Sequence, residues 1–401
     1  VSFISGNGIT LNILKNFMKI YSKFGILNKE IEIGEIDYFA KENPLKLSSG
    51  LEISNFPIAY QTYGNLNENR DNAILICHAL TGDQYVANQN PITQKDGWWQ
   101  FMIGEKKPID TNKFFVICSN VIGGCMGSFG PKEINPKTNQ PYGSEFPFLT
   151  IQDMVNAQNL LIEKFGISQL HAVIGGSTGG MQALAWGVLY PQKVKILIPM
   201  ASSYRHSPQN IAFHEVGRQS IMNDPDWCGG NYLLQNKFPK NGLSLARMTA
   251  HITYLSEISL QKKFGRDLKN KDGFSFSANK DFEVENYLHY QGNKFVERFD
   301  PNSYLIITRA VDYFDLETDF SGNLSSAFVN LSKNQQCKVF IIAFSDDWLF
   351  PASESKKLTK AMAVNNINVS LVTIESDGGH DSFLLRNEIL EKTLNGILLE
   401  N

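Results

Sequence analysis

The feature that most constrains the fold is a serine set among glycines, in the segment Gly175-Gly-Ser-Thr-Gly179. A β-rich apolar run over residues 172–174 leads into the segment, and residues 181–190 have the pattern of a buried helix that Pro191 ends. So tight a turn from strand to helix needs small flanking residues and lifts the serine hydroxyl clear of the sheet. The segment therefore predicts a nucleophilic Ser177, with a glycine-rich packing turn as the alternative.

Short apolar runs recur along the chain with helical or loop segments between them, over residues 73–77, 114–118, 172–174, 194–200, 339–344 and 369–374. Runs that are apolar on both faces suit a buried parallel sheet. Between the second and third runs, Thr150 and Asp153 resemble a capping box that begins an amphipathic helix. Strands that alternate with helices predict an α/β fold with a mostly parallel central sheet.

The rhythm of strands stops between residues 202 and 333, where residues 211–222 and 243–255 have helical patterns. We therefore predict a core in two parts, residues 31–201 and 334–401, with an inserted helical unit over residues 202–333. Residues 1–30 are predicted to be a dispensable, disordered N-terminal extension, with a transit peptide as the alternative. Lysines interrupt each apolar run of this extension, which argues against a signal peptide.

Charge and cysteine content exclude several classes of protein. The chain has 37 Lys and Arg residues against 40 Asp and Glu, a net charge of −3, which provides no basic field for nucleic acid or an anionic membrane. The uncharged stretch over residues 166–192 is long enough to span a membrane, but clustered glycines make it a poor apolar helix. The five cysteines form no CxxC pair, which favours a reducing compartment over a disulfide framework or a thiolate zinc site.

A nucleophilic serine needs a base and an acid that orients the base, and in this type of fold they follow in the order Ser, Asp, His. The predicted strand over residues 339–344 leads into Asp346 and Asp347, and both remain candidates for the acid, with Asp347 preferred. After the last strand, paired glycines precede His380, the candidate base. The other histidines all precede the acid in the sequence and suit the role less well.

An acyl enzyme also needs backbone N–H donors for the oxyanion. We expect one donor from Thr178, directly after the nucleophile, and nominate Leu80 in the loop after the first strand as the second. The sequence contains no GxxxxGK[ST] loop, no HExxH pair and no GxGxxG spacing, so nucleotide-phosphate, zinc-protease and dinucleotide sites have no support.

The chain contains, in order, eleven characteristic segments: His78-Ala-Leu-Thr-Gly-Asp83, Asn120-Val-Ile-Gly-Gly-Cys-Met-Gly127, Ile134-Asn-Pro136, Gly175-Gly-Ser-Thr-Gly-Gly-Met-Gln-Ala-Leu184, Gln209-Asn-Ile-Ala-Phe213, Asp224-Pro-Asp-Trp227, Ala246-Arg-Met248, His251-Ile-Thr-Tyr-Leu255, Lys263-Phe-Gly-Arg266, Arg298-Phe-Asp300 and Gly379-His-Asp381. Through these segments, residues 32–399 or so resemble homoserine O-acetyltransferases of the α/β-hydrolase superfamily.

The resemblance implies an α/β-hydrolase fold whose helical insert forms a lid. It implies Ser177 as nucleophile, Asp347 as acid and His380 as base, and it adds three residues that bind the acceptor. Arg247 would bind the carboxylate of the acceptor, with Tyr254 and Asp381 as partners and Asp381 near the amino group.

The family further implies a cytoplasmic homodimer, formed through the lid, that acetylates L-homoserine in methionine biosynthesis. Acetyl-CoA would be the co-substrate, and no metal or other cofactor is implied. Thr178 and Ala185 stand where the family usually has Met and Glu, which leaves the choice of acyl donor open. Succinyl transfer, serine as acceptor, hydrolysis, and a binding protein without activity are the alternatives.

Overall fold

The computed structural model describes residues 17–22, 25–269 and 273–400 of the chain. The strands in these residues are β1 (Phe17–Ser22), β2 (Gly25–Glu32), β3 (Glu35–Phe39), β4 (Leu45–Lys46), β5 (Glu52–Ile53), β6 (Phe56–Tyr63), β7 (Ala73–Cys77), β8 (Ile103–Gly104), β9 (Ile109–Asp110), β10 (Phe115–Ser119), β11 (Ile134–Asn135), β12 (Gln140–Pro141), β13 (Leu170–Gly176), β14 (Val194–Met200), β15 (Lys338–Phe344) and β16 (Asn368–Ile374). The α-helices are α1 (Ile151–Lys164), α2 (Thr178–Leu189), α3 (Pro208–Met222), α4 (Lys240–Tyr254), α5 (Glu257–Phe264), α6 (Glu283–Val296), α7 (Pro301–Tyr313), α8 (Ala352–Ala363) and α9 (Glu388–Glu400).

Eight strands form the central sheet, in the order β16-β15-β14-β13-β7-β10-β6-β3. The six strands from β16 to β10 run parallel, whereas β6 and β3 are antiparallel to their neighbours. The predicted α/β fold with a mostly parallel sheet is confirmed, and two of the predicted runs coincide with β7 and β14. The antiparallel strands β3 and β6 were not predicted.

Both faces of the sheet are covered, as the apolar runs require. On one face, β7 and β13 present Leu75 and Val173 to a core that includes Met154 of α1 and Leu184 of α2. On the other face, Ile74 and Ile174 belong to a core that contains residues of α9. Since successive side chains of a strand point to opposite faces, this double burial explains why the strands are apolar at every position.

Helix α1 begins at the predicted capping box. The Thr150 side chain accepts a hydrogen bond from the Asp153 backbone N–H at 3.2 Å, and the Asp153 carboxylate accepts one from the Thr150 N–H at 2.9 Å. Ser48 also donates to Asp153, from both its N–H and its hydroxyl. The start of α1 is thereby attached to a loop that lies far away in the sequence.

Between β14 and β15 the described residues form helices α3 to α7, short 3₁₀ turns and two isolated β bridges. Helix α4 packs against both α3 and α6. The predicted boundaries of this insert at residues 202 and 333, and its role as a lid, stay predictions.

The predicted N-terminal extension over residues 1–30 falls partly outside the described residues, which do not include 1–16, 23 and 24. Strands β1 and β2 pair with each other as a separate antiparallel sheet. No helix in the described ranges has both the length and the apolar character that crossing a membrane requires.

Candidate active site

Ser177 lies on the turn between β13 and α2, in a backbone conformation that few side-chain-bearing residues adopt. Its φ is 58° and its ψ is −124°. The Ser177 N–H donates to the Met200 carbonyl at 2.9 Å, and the Ser202 hydroxyl donates to the Ser177 carbonyl at 2.8 Å. A positive φ is unfavourable for a residue with a side chain, so the hydrogen bonds to the N–H and to the carbonyl of Ser177 are what keep this serine in place.

Two glycines allow the backbones to approach closely at this turn. A Cβ atom on Gly175 would lie 2.2 Å from the carbonyl oxygen of Gly179, and one on Gly179 would lie 2.0 Å from that of Cys77. Both distances are too short for any side chain to fit without moving the main chain. The glycines of the motif therefore serve the packing of α2 against β7 and β13.

The structure brings Ser177, His380 and Asp347 together in one chain of hydrogen bonds. His380 Nε2 lies 2.8 Å from the Ser177 hydroxyl, and His380 Nδ1 lies 2.8 Å from Asp347 Oδ2. All three residues are buried. With the Nδ1 proton donated to Asp347, Nε2 is free to accept the serine proton, which is the geometry of a serine nucleophile with a general base.

Asp347 and its neighbour Asp346 have different partners. The second oxygen of Asp347 accepts the N–H groups of Leu349 and Phe350 at 3.0 and 2.9 Å. Asp346 instead accepts the Ser376 hydroxyl at 2.5 Å and the Gly379 N–H at 2.9 Å. Of the two candidate acids, Asp347 is the one that contacts the histidine. Asp346 instead connects the loop after β15 to the loop after β16, which carries His380.

The charge environment of His380 favours its protonated form. Burial lowers the pKa of His380, but the Asp347 carboxylate and, to a smaller extent, the Asp381 carboxylate raise it, and the net pKa is above its ordinary value of 6.5. Burial also raises the pKa of Asp381, which the charges of His380 and Arg247 oppose. The histidine is therefore a stronger base than a free imidazole.

Leu80 and Thr178, the predicted oxyanion donors, line one pocket of about 470 Å³ together with Ser177 and Tyr254. Neither backbone N–H has an acceptor in the described part of the chain. Backbone N–H groups without an acceptor, on residues that line the same pocket as Ser177, are suitable donors for a developing oxyanion.

Of the predicted acceptor-binding residues, Tyr254 lines this pocket, whereas Arg247 lines a second cavity that Thr81 also lines. The ring centroids of Tyr254 and His380 are 6.1 Å apart, and the Arg247 guanidinium lies 5.4 Å from the Tyr254 ring centroid. Arg247 also donates to the Thr81 hydroxyl at 3.1 Å, directly after Leu80. Asp381 follows His380 in the chain and acts electrostatically on Tyr254. The structure thus groups all eight predicted residues about one centre.

Comparison with known proteins gives the same fold. The alpha/beta hydrolase fold family matches residues 72–386. The homoserine O-acetyltransferase of Mesorhizobium japonicum is 54% identical over 360 residues, which cover 90% of this chain and 92% of that protein. The chain belongs to the homoserine O-acetyltransferase family.

Solved structures with this fold include both transferases and esterases. A homoserine O-acetyltransferase from Bacillus anthracis matches with a TM-score of 0.82 at 28% identity, over 92% of this chain and 98% of that one. Esterase E22 matches with a TM-score of 0.80 at 28% identity, over 91% of this chain and 99% of that one. The fold alone therefore does not separate transfer from hydrolysis.

The two departures from the homoserine O-acetyltransferase pattern lie in different places. Thr178 lines the pocket, so its side chain helps shape the space beside the nucleophile. Ala185 is buried in the core against the sheet and does not line that pocket. Of the two, Thr178 is the one placed to affect the acyl group directly.

A buried polar network that was not predicted from the sequence adjoins this pocket, which His206 and His214 help to line. Asp312 Oδ1 accepts hydrogen bonds from Nδ1 of His206 at 3.0 Å and of His214 at 2.8 Å, and its Oδ2 accepts one from Arg218 at 2.6 Å. Burial lowers the pKa of His206 to about 4. No local signal could have joined His206 to Asp312, because helices α3 to α6 lie between them in the sequence.

The His206, His214 and Asp312 side chains are the three potential metal ligands that cluster in the described residues. Their distances are those of N–H···O hydrogen bonds, and Arg218 already supplies a cation to the Asp312 carboxylate. This donor set is satisfied by its own hydrogen bonds and fits an ordering role for the pocket wall better than a metal site.

Proposed function

We propose that this protein transfers an acetyl group from acetyl-CoA to the hydroxyl of L-homoserine through an acetyl-Ser177 intermediate. The observation that carries the proposal is the hydrogen-bonded chain from Asp347 through His380 to Ser177, in a pocket that Leu80 and Thr178 also line. Membership of the homoserine O-acetyltransferase family supports homoserine as the acceptor.

In the first half-reaction, His380 accepts the proton of Ser177 while the serine oxygen attacks the thioester carbonyl. The Leu80 and Thr178 N–H groups stabilise the oxyanion, and the carbon–sulfur bond breaks as the tetrahedral intermediate collapses. The CoA thiolate takes the proton from His380 and leaves. Asp347 keeps the imidazole in the tautomer that can accept the serine proton.

In the second half-reaction, His380 accepts the proton of the homoserine hydroxyl, whose oxygen attacks the acetyl carbon. The ester bond to Ser177 breaks, and the serine oxygen recovers its proton from His380. Arg247 would bind the acceptor carboxylate and Asp381 its ammonium, since a guanidinium matches a carboxylate and an acid matches an ammonium. Tyr254 lies near both Arg247 and His380 and would form part of the wall of the acceptor site.

Dependence on the acceptor tests this function. With acetyl-CoA alone, a transferase should release about one CoA per active site and stop, whereas a hydrolase continues and a binding protein releases none. Addition of homoserine should start sustained turnover, and parallel reactions with succinyl-CoA and with serine test the alternative donor and acceptor. Ser177→Ala should abolish both CoA release and the acetyl adduct seen by intact mass spectrometry. CoA release that homoserine does not increase would contradict the proposal.

We also propose that two copies associate through the helical insert. Helices α3 and α4 pack against each other, and both leave large apolar side chains exposed. These exposed side chains are Ile211, Val216, Leu245 and Ile252. Exposed apolar side chains on two adjacent helices favour an interface between proteins.

The proposed reaction uses acetyl-CoA as co-substrate and requires no metal or other resident cofactor. A cytoplasmic location and a role in methionine biosynthesis are part of the same proposal. The five cysteines are unpaired thiols and four of them are buried, which fits a reducing compartment. Fractionation of cells that produce the protein would test the location.

A further inference from the structure

Two arginines from different elements meet at one threonine. Arg247 of α4 donates from Nη1 to the Thr81 hydroxyl at 3.1 Å, and Arg298, which follows α6, donates from Nη1 to the Thr81 carbonyl at 2.9 Å. Thr81 directly follows Leu80, one of the proposed oxyanion donors. The two guanidinium groups are therefore neighbours at the edge of the reactive centre.

Neither Arg247 nor Arg298 has a carboxylate within 4.0 Å among the described residues, whereas the buried Arg218 has two. Burial and the charge of Arg247 lower the pKa of Arg298, and the more distant Asp83 opposes this. Asp83 is itself bound to the Tyr85 N–H and the Asn90 amide. Two neighbouring cations repel each other, and because no carboxylate contacts either guanidinium directly, a bound anion would relieve that repulsion.

The ring of Phe295 supports both guanidinium groups. Its centroid lies 4.8 Å from the Arg247 guanidinium carbon and 5.3 Å from that of Arg298. Contact with an aromatic ring engages the flat side of a guanidinium and leaves the N–H groups at its edge available to a ligand. Both arginines and Thr81 line a cavity with about 1110 Å³ of open space. The pair is thus held in position on the wall of a space that a small molecule can enter.

We propose that Arg298 is a second carboxylate-binding residue, and that Arg247 and Arg298 together hold the carboxylate of the amino-acid acceptor. This inference rests on the proposed transfer to an amino acid such as homoserine. Because both arginines contact Thr81, the carboxylate would be held at a set distance from the Leu80 N–H and from Ser177. Arg298 would then select acceptors that have a carboxylate as well as a hydroxyl.

The test compares homoserine with 3-aminopropan-1-ol, which has the same chain and hydroxyl but no carboxylate. In the wild-type protein the kcat/KM for homoserine should greatly exceed that for the amino alcohol. Arg298→Met should lower the ratio of the kcat/KM for homoserine to that for the amino alcohol by about 10- to 100-fold, the effect of losing a charge-assisted hydrogen bond. Arg298→Lys should restore only part of the ratio, because an ammonium lacks the planar fork. Acetylation of Ser177 by acetyl-CoA should change by less than about 2-fold, since that step involves no acceptor carboxylate.

A purely structural role of Arg298 gives a different result. If Arg298 only braced the Thr81 carbonyl, its loss would disturb Leu80, slow acetylation and weaken both acceptors equally, and the proposal would be wrong. Should Arg298→Met fail to fold, Arg298→Lys still offers a donor to Thr81 and allows the same comparison.

Lys294→Met is the matched control, because Lys294 lines the same cavity but is exposed and paired with Glu297 at 3.1 Å. Lys294→Met should keep the wild-type ratio of the two kcat/KM values. A fall as large as that in Arg298→Met would show that total positive charge, not Arg298, selects the acceptor.

A wild-type protein that transfers acetyl to neither acceptor would refute the proposed function itself. A wild-type protein that transfers to homoserine, with an unchanged ratio in Arg298→Met, would refute only the assignment of Arg298.

Discussion

At the scale of single residues, the neighbouring acids Asp346 and Asp347 have different roles, because only Asp347 contacts His380. Asp347→Asn should reduce turnover by a factor on the order of 10⁴, because an amide cannot hold the His380 tautomer as a carboxylate does. Asp346→Asn should cost far less, since Asp346 contacts Ser376 and Gly379 and not the imidazole. Steady-state rates of the two variants, compared at equal folded fraction, check this. A larger loss in Asp346→Asn would contradict the assignment of the acid.

The pKa of His380 gives a second prediction at this scale. Acetylation of Ser177 needs the neutral imidazole, so its rate should fall as the pH drops through a midpoint above 6.5. Asp381→Asn should move the midpoint to lower pH, because the Asp381 carboxylate is one of the charges that stabilise the protonated ring. Single-turnover acetylation across the pH range measures the midpoint. A midpoint that rises in Asp381→Asn would overturn this account.

At the scale of elements, the elbow between β13 and α2 depends on close contact of the main chains. Gly179→Ala should destabilise the fold by about 3 kcal/mol or prevent folding, since its Cβ would lie 2.0 Å from the Cys77 carbonyl oxygen. Gly396→Ala is the control, because Gly396 lies in α9 with no atom near its Cβ position. That change should raise stability by about 0.5 to 1 kcal/mol. Urea denaturation followed by circular dichroism compares the two, and equal stability would contradict the packing role of Gly179.

At the scale of the whole molecule, the exposed apolar residues of α3 and α4 predict a dimer. Val216→Glu should produce a monomer, because a carboxylate placed in an apolar interface loses its hydration without gaining a partner. Val364→Glu is the control, since Val364 is 74% exposed at the end of α8, outside the insert. Analytical ultracentrifugation at micromolar concentration measures both variants. A monomeric wild-type protein would refute the dimer and leave the catalytic proposal standing.

The order of strands and helices in the core could be predicted from the sequence because it depends on local pattern. Runs that are buried on both faces mark the parallel strands, and Thr150 with Asp153 marks the start of α1. Strand β6 was not predicted because its sequence is not a continuous apolar run. Pro57 is unusual inside a strand, and the polar Gln61 interrupts the apolar pattern near its end. It lies beside the antiparallel β3, away from the all-apolar centre of the sheet, where sequence signals are weaker.

Local sequence also determined the turn around Ser177 and the loop that carries His380. Glycines mark both segments, and the change from strand to helix pattern around Ser177 is visible within a few residues. Only the tertiary structure decided between Asp346 and Asp347, since adjacent side chains of a turn point in different directions and the pattern does not say which one faces His380. It alone brought Arg298 to Thr81 and Asp312 to His206. These contacts join residues of separate elements, and their distance depends on how helices pack, which no local pattern encodes.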